Sequence, residues 1–325
     1  MIVVLLLTPL IVLGLLALLG FIGCSFQPGR ASISPPPNLR AVAGDTWVQL
    51  SWDSIAATDY KVYRGETSGN YPTVTDLGGT PLSFLDAPVS NGTTYFYAVT
   101  AVADGSESGY SNEVMATPGA INFVQLIQKD LMGTGDTVTS NPFNAPLTAG
   151  NLLIVWIWYQ VGSAGLHCSG VSDSANNQYT GPIVGPTAGA GALAGFQQEI
   201  WYAKNINAGT AVTVTANFSG TVGERAVSAH EYSGADTVNP AVNMPITEVG
   251  NSANATIGPL NTGAARLIFA AALFPTQGTS GPGYTQRSTL QQNATEDRRI
   301  TLPGSFTATF TNTAQDWLAQ MVTFK

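Results

Sequence analysis

The sequence predicts an all-β chain: a small β-sandwich, then a larger jelly-roll-like antiparallel β-sandwich, with an N-terminal apolar helix ahead of both. Short runs that alternate apolar and polar residues recur between turn residues, as in Val48-Gln49-Leu50-Ser51-Trp52, and a period of two marks a half-buried strand. Beyond residue 120, β-branched and aromatic runs dominate and no amphipathic 3.6-residue period appears. Residues 2–23 differ, being apolar on every face and without charge, so they belong to no globular core.

Composition narrows the partners. Of 325 residues 44% are hydrophobic and only 10% charged, enough apolar matter for real cores and too little polarity for a disordered chain. The net charge is −8 and the 12 basic residues are scattered. Nucleic acid is excluded as a partner, because phosphate neutralisation needs a basic stripe. Two cysteines make neither a disulfide framework nor a cysteine-rich zinc site. No cofactor is expected.

The apolar run is long enough to span a hydrocarbon core of about 30 Å. It ends in Phe21-Ile22-Gly23-Cys24, followed at 25–34 by a polar, proline-rich tether. These residues resemble a bacterial lipoprotein signal, although Phe21 stands where that family usually has Leu and no Lys or Arg precedes the run. The resemblance implies cleavage before Cys24 and lipidation of its thiol. An uncleaved anchor and an ordinary secretory signal remain open. Each places the residues after 30 outside the cytoplasm, the first two with the membrane as a partner through segment or lipid.

Residues 35–118 read PPPNLRAVAGDTWVQLSWDS, DYKVYRG, LDAPVSNGTTYFYAVTAV and ESGYSNEVMATP in order. They resemble a fibronectin type III domain. The resemblance implies a core role for Trp52 and a tyrosine corner at Tyr95, both structural, and the module reads as a spacer. Residues 120–325 hold candidate strands at 151–159, 197–205, 211–218, 225–232, 266–274, 305–312 and 317–324. LLIVWIWY and LIFAAALF are apolar at every position, so they are central strands covered on both sides or strands with an aromatic outer face. This part resembles a domain of secreted, multi-modular bacterial proteins, and that resemblance supplies no functional residues.

Catalytic patterns are sparse. His167-Cys168 and His230-Glu231 are adjacent pairs, and strand geometry points neighbours to opposite faces, so no metal site is expected. Neither HExxH nor GxSxG occurs. Glu199 and Glu231 could form the two opposed carboxylates of a glycosidase. The Asp173-Ser174-Ala175-Asn176-Asn177 stretch reads as a hairpin turn rather than a calcium loop. A sugar site needs aromatic faces beside amides or carboxylates, and the candidates are Trp158 and Trp201 with Glu199 and Asn205. Period two places Glu199, Trp201 and Asn205 on one face. The expected function is a surface-tethered extracellular binding or adhesion protein that recognises a glycan or a cell-surface protein. The alternatives are a self-associating subunit of a surface filament or layer, and a polysaccharide-acting enzyme.

Overall fold

The alternating runs form strands throughout residues 33–263 and 265–325, the part described by a computed structural model. The apolar run expected as a helix and Cys24 lie outside these residues. In chain order the first strands are β1 (Arg40–Ala43), β2 (Val48–Ser51), β3 (Asp59–Gly65), β4 (Thr73–Asp76), β5 (Ser83–Asp86), β6 (Tyr95–Ala103), β7 (Ser106–Glu107) and β8 (Val114–Ala116). They make two antiparallel sheets, β1-β2-β5 and β4-β3-β6-β7, with β8 also paired to β6. The inward residues of both sheets form one core that includes Leu50, Trp52, Tyr60, Val62, Tyr97 and Val99. Trp52 meets Tyr60 edge-on, ring centroids 5.6 Å apart, a geometry that aligns ring edge with ring face.

The chain continues with β9 (Asn122–Leu131), β10 (Gly135–Thr139), β11 (Leu152–Gln160), β12 (Cys168–Asp173), β13 (Tyr179–Ala188), β14 (Phe196–Ala203), β15 (Val214–Val222) and β16 (Arg225–Ser233). It closes with β17 (Ala241–Asn261), β18 (Leu267–Leu273), β19 (Thr279–Ser280), β20 (Thr285–Ser288), β21 (Ala294–Arg299) and β22 (Ser305–Phe324). Two three-residue 3-10 turns, Gly191–Leu193 and Leu290–Gln292, interrupt the strands.

Here the two-sheet jelly roll expected from sequence is corrected: these strands build three sheets. They are β10-β15-β12, β13-β14-β11-β16-β9 and β17-β22-β18-β21-β20, the last carrying β19 on β22. The reason lies in β11 and β18. Leu153, Val155, Ile157 and Tyr159 face a core shared with the first of these sheets. Leu152, Ile154, Trp156 and Trp158 face a core shared with the third. A strand apolar on both faces needs a layer on each side. β18 repeats the pattern, with Phe269 in the middle core and Ile268 in a further one. That further core is covered by the antiparallel pair of long strands β17 and β22, and within β17 Glu248 Oε1 accepts the Gly258 N–H at 3.1 Å.

The first pair of sheets touches the rest of the chain directly. Asp45, 1% exposed, accepts from Asn91 Nδ2 at 2.7 Å and from Arg299 Nη2 at 2.5 Å. Gly119 donates its N–H to Gly44 O at 2.9 Å and accepts from Arg266 Nη1 at 2.8 Å. Both partners of a buried carboxylate are thus supplied, and a buried charge is tolerated only when paired in this way.

Candidate ligand-binding groove

The middle and third sheets part at one end to leave a groove of about 370 Å³. Its floor is Trp158 at the end of β11. Its walls come from the turn at Gly191–Leu193, from Phe196 at the start of β14, from Leu273–Pro275 after β18, and from Gln291–Asn293 before β21. Glu224, in the turn between β15 and β16, adds one carboxylate. Apolar walls with a few convergent polar groups are the ordinary make-up of a small-molecule site.

Local chemistry holds the walls. Gly191 has φ +59°, a left-handed conformation that glycine adopts without steric cost. A Cβ there would sit 2.1 Å from Asp316 Oδ2. Asp316 accepts the Ala192 N–H at 2.6 Å and Asn251 Nδ2 at 2.7 Å, and the Ala192 bond, then the Asn251 bond, lowers its pKa below the ordinary carboxylate value. On the opposite wall Gln291 and Gln292 have φ +50° and +70°. Two consecutive non-glycine residues in that region store strain, which concentrates at functional sites. Gln291 Nε2 donates to Asp130 Oδ2 at 2.7 Å, and Asn293 Oδ1 accepts the Phe274 N–H at 2.8 Å. Trp158 Nε1 is buried without a hydrogen-bond partner, an arrangement that costs about 1–3 kcal/mol.

The residues singled out from sequence are distributed differently. Trp158 is 2% exposed and Trp201 7% exposed, so the expectation that either ring offers an open stacking face is corrected. Trp201 faces the core between the first and middle sheets of the larger part, because Glu199 beside it is buried there as an acceptor. Trp201 Nε1 and the Cys168 N–H donate to Glu199 at 3.0 and 3.1 Å, and the Tyr159 hydroxyl donates to it as well. Asn205 does not continue that strand face. β14 ends at Ala203, and Asn205 lies exposed in a turn with φ +47°.

Glu231 accepts from Gln125 Nε2, the Thr148 N–H and Asn151 Nδ2 at 2.6, 2.9 and 2.7 Å. Along β11, Glu231 is opposite Leu153 and Glu199 opposite Ile157, on flanking strands. Ordinary strand spacing puts them about 16 Å apart, outside the separation of a glycosidase pair. They share a sheet face but no cleft.

His167 is exposed and Cys168 buried, and burial followed by the charge of Glu199 pushes the Cys168 thiol up to about 12. Such a thiol is a poor nucleophile. His230 bonds Thr295 Oγ1 at 2.9 Å toward the third sheet, whereas Glu231 faces the opposite side. Among the described residues no His, Cys, Asp and Glu group could hold a metal ion. The Asp173 carboxylate is closed by the N–H groups of Ala175 and Asn177, by Asn177 Nδ2 and by the Tyr179 hydroxyl, a turn rather than an ion cradle. Phe196, Glu224, Gln291 and Gln292 were not singled out from sequence. They come from separate segments, and no local motif joins them.

In the first pair of sheets Trp52 is 3% exposed, and the Ser90 N–H donates to the Tyr95 hydroxyl at 3.1 Å.

A 94-residue stretch of the chain is 40% identical to an amylopullulanase of Thermoanaerobacter thermohydrosulfuricus, covering 28% of this chain and 6% of that protein. An amylopullulanase of Thermoanaerobacterium thermosulfurigenes is 39% identical over 85 residues, 26% of this chain and 5% of its own. The chain therefore spans only a small part of these relatives' length. Among solved structures, an Fn3-like protein from Clostridium thermocellum is 32% identical, with 26% of this chain and 96% of that chain covered and a TM-score of 0.24. No known family profile matches the chain. The strand order of the first two sheets, their shared core and the bond from the Tyr95 hydroxyl back to Ser90 are those of a sandwich with a tyrosine corner, and this part of the chain is a fibronectin type III domain.

Proposed function

We propose that the chain is an exported, surface-tethered binding protein whose groove at Trp158 takes a glycan. One observation carries this reading: the groove sets the half-buried ring of Phe196, which is tilted against the covered Trp158 with ring centroids 6.2 Å apart, beside the amides of Gln291, Gln292 and Asn293 and the carboxylate of Glu224. Pyranose C–H faces pack on aromatic rings while their hydroxyls need amide and carboxylate partners. The partial likeness to amylopullulanases, which act on glycans, supports the same ligand class. The fibronectin type III part then serves as a spacer, residues 25–34 as the tether, and lipid on Cys24 as the membrane anchor. Catalysis plays no part in this reading, since Glu199 and Glu231 are each consumed by structural hydrogen bonds.

The test is a titration of the full chain in detergent with a panel of oligosaccharides, followed by tryptophan fluorescence and calorimetry. A saturable change is expected with at least one oligosaccharide, lost in Phe196→Leu and Gln292→Ala, with thermal melting confirming that each variant is folded. Binding that survives both substitutions would move the site elsewhere, and an absence of binding across the panel would end the glycan reading.

A further inference from the structure

We propose that the groove selects uncharged sugars and rejects acidic ones, an inference that rests on the glycan reading above. The charges around it have one sign. Glu224 lines the groove, and no Lys or Arg does among the described residues. Asp130 stands directly behind Gln291 and Asp316 directly behind Ala192. None of these three carboxylates forms an ion pair among the described residues.

Two cations close in sequence, Arg225 and Arg287, are committed elsewhere, and Lys129 points to the face of β9 opposite Asp130. Arg225 follows Glu224 but is buried and donates to the carbonyls of Thr137, Gly133 and Gly223. Arg287 is held by both oxygens of Asp297 at 2.7 and 2.9 Å. A uronate or sialate carboxylate entering here would meet like charge in a partly desolvated setting, with no guanidinium to receive it.

The donor and acceptor inventory points the same way. Glu224 only accepts when ionised, whereas Gln291, which gives one N–H of its Nε2 to Asp130, and the amides of Gln292 and Asn293 offer neutral donors and acceptors together. That mixture matches sugar hydroxyls, which both donate and accept, and it supplies no charged donor for a ligand carboxylate. The Trp158 N–H is buried and unpaired, with 98% of its residue's surface covered. It is a single neutral donor, insufficient to neutralise a charge.

The experiment compares neutral gluco-oligosaccharides with uronic acid oligomers of matched length, by calorimetry on the full chain and at low salt. Neutral oligomers are expected to bind at least tenfold more tightly. Glu224→Gln should narrow the gap and Glu224→Lys should close or reverse it, with the melting temperature of each variant confirming an intact fold. Equal or tighter binding of the uronates, or a ratio that ignores both substitutions, overturns the inference while leaving the glycan site standing. Binding of neither class overturns the glycan reading and the selectivity with it.

Discussion

Trp201 donates its indole N–H to Glu199 Oε2 at 3.0 Å, two residues earlier on the same strand. Residues two apart share a face, and here that face is sealed. The second oxygen of Glu199 takes the Tyr159 hydroxyl from β11 and the Cys168 N–H from β12. One carboxylate therefore ties the middle sheet to the outer sheet of the larger part.

Removal of that carboxylate should cost stability and leave ligand binding alone. Glu199→Ala strands three buried donors, and each unsatisfied group costs about 1–3 kcal/mol. Urea unfolding is expected to show a loss of at least about 3 kcal/mol, with Glu199→Gln milder because it keeps an acceptor. A loss of under about 1 kcal/mol in the alanine variant would contradict the structural role.

The sequence pattern made relative facing legible and absolute facing not. Period two correctly pairs Trp156 with Trp158 and Glu199 with Trp201, since these lie together in their respective cores or share a hydrogen bond. The same period cannot say which face looks outward, and Trp201 accordingly turned out buried. LLIVWIWY and LIFAAALF, apolar at every position, carried the information that a third layer exists, because neither strand can expose a face. The groove was illegible for another reason. Its residues run from Met132 to Asn293, and only the closure of two sheets brings them together.

In the fibronectin type III part, Trp52 is expected to be structural. Trp52→Ala empties the space against Tyr60 and should cost roughly 3–5 kcal/mol, a large share of a small domain's stability. Thermal circular dichroism checks this. An unchanged melting profile would mean that the core closes without the indole.

Asp316 should act on ligand binding from behind the wall. It fixes the Ala192 amide without lining the groove, so Asp316→Ala frees the Gly191–Leu193 turn. Oligosaccharide affinity is expected to fall about tenfold, equal to about 1.4 kcal/mol. Melting should shift by less than a core substitution would cause, because Asp316 is half-buried at the edge of the fold and its partners Ala192 and Asn251 are exposed. An unchanged affinity would show that the turn holds its shape unaided.

Two buried titratable groups, Glu296 and His230, make stability depend on pH. Glu296 is buried with Oε1 unpartnered, and burial raises its pKa from 4.5 to about 8. The folded state then holds a proton that the unfolded state releases, so stability is full below about 4.5 and falls as pH rises toward 8. His230 works in the opposite sense. Burial lowers its pKa from 6.5 to about 3, so the unfolded state binds the extra proton, and stability drops as pH falls through that window. Between 4.5 and 6.5 the two slopes oppose one another. From 6.5 to 8 the Glu296 slope acts without that opposition, at most about 1.4 kcal/mol per pH unit. Urea unfolding at pH 5.5, 7 and 8 (conditions chosen about those limits) should show a plateau and then a decline. Glu296→Gln keeps the shape and cannot ionise, so it should flatten the alkaline decline and leave the acid limb of His230 in place. A decline that persists unchanged in Glu296→Gln would assign it to another group.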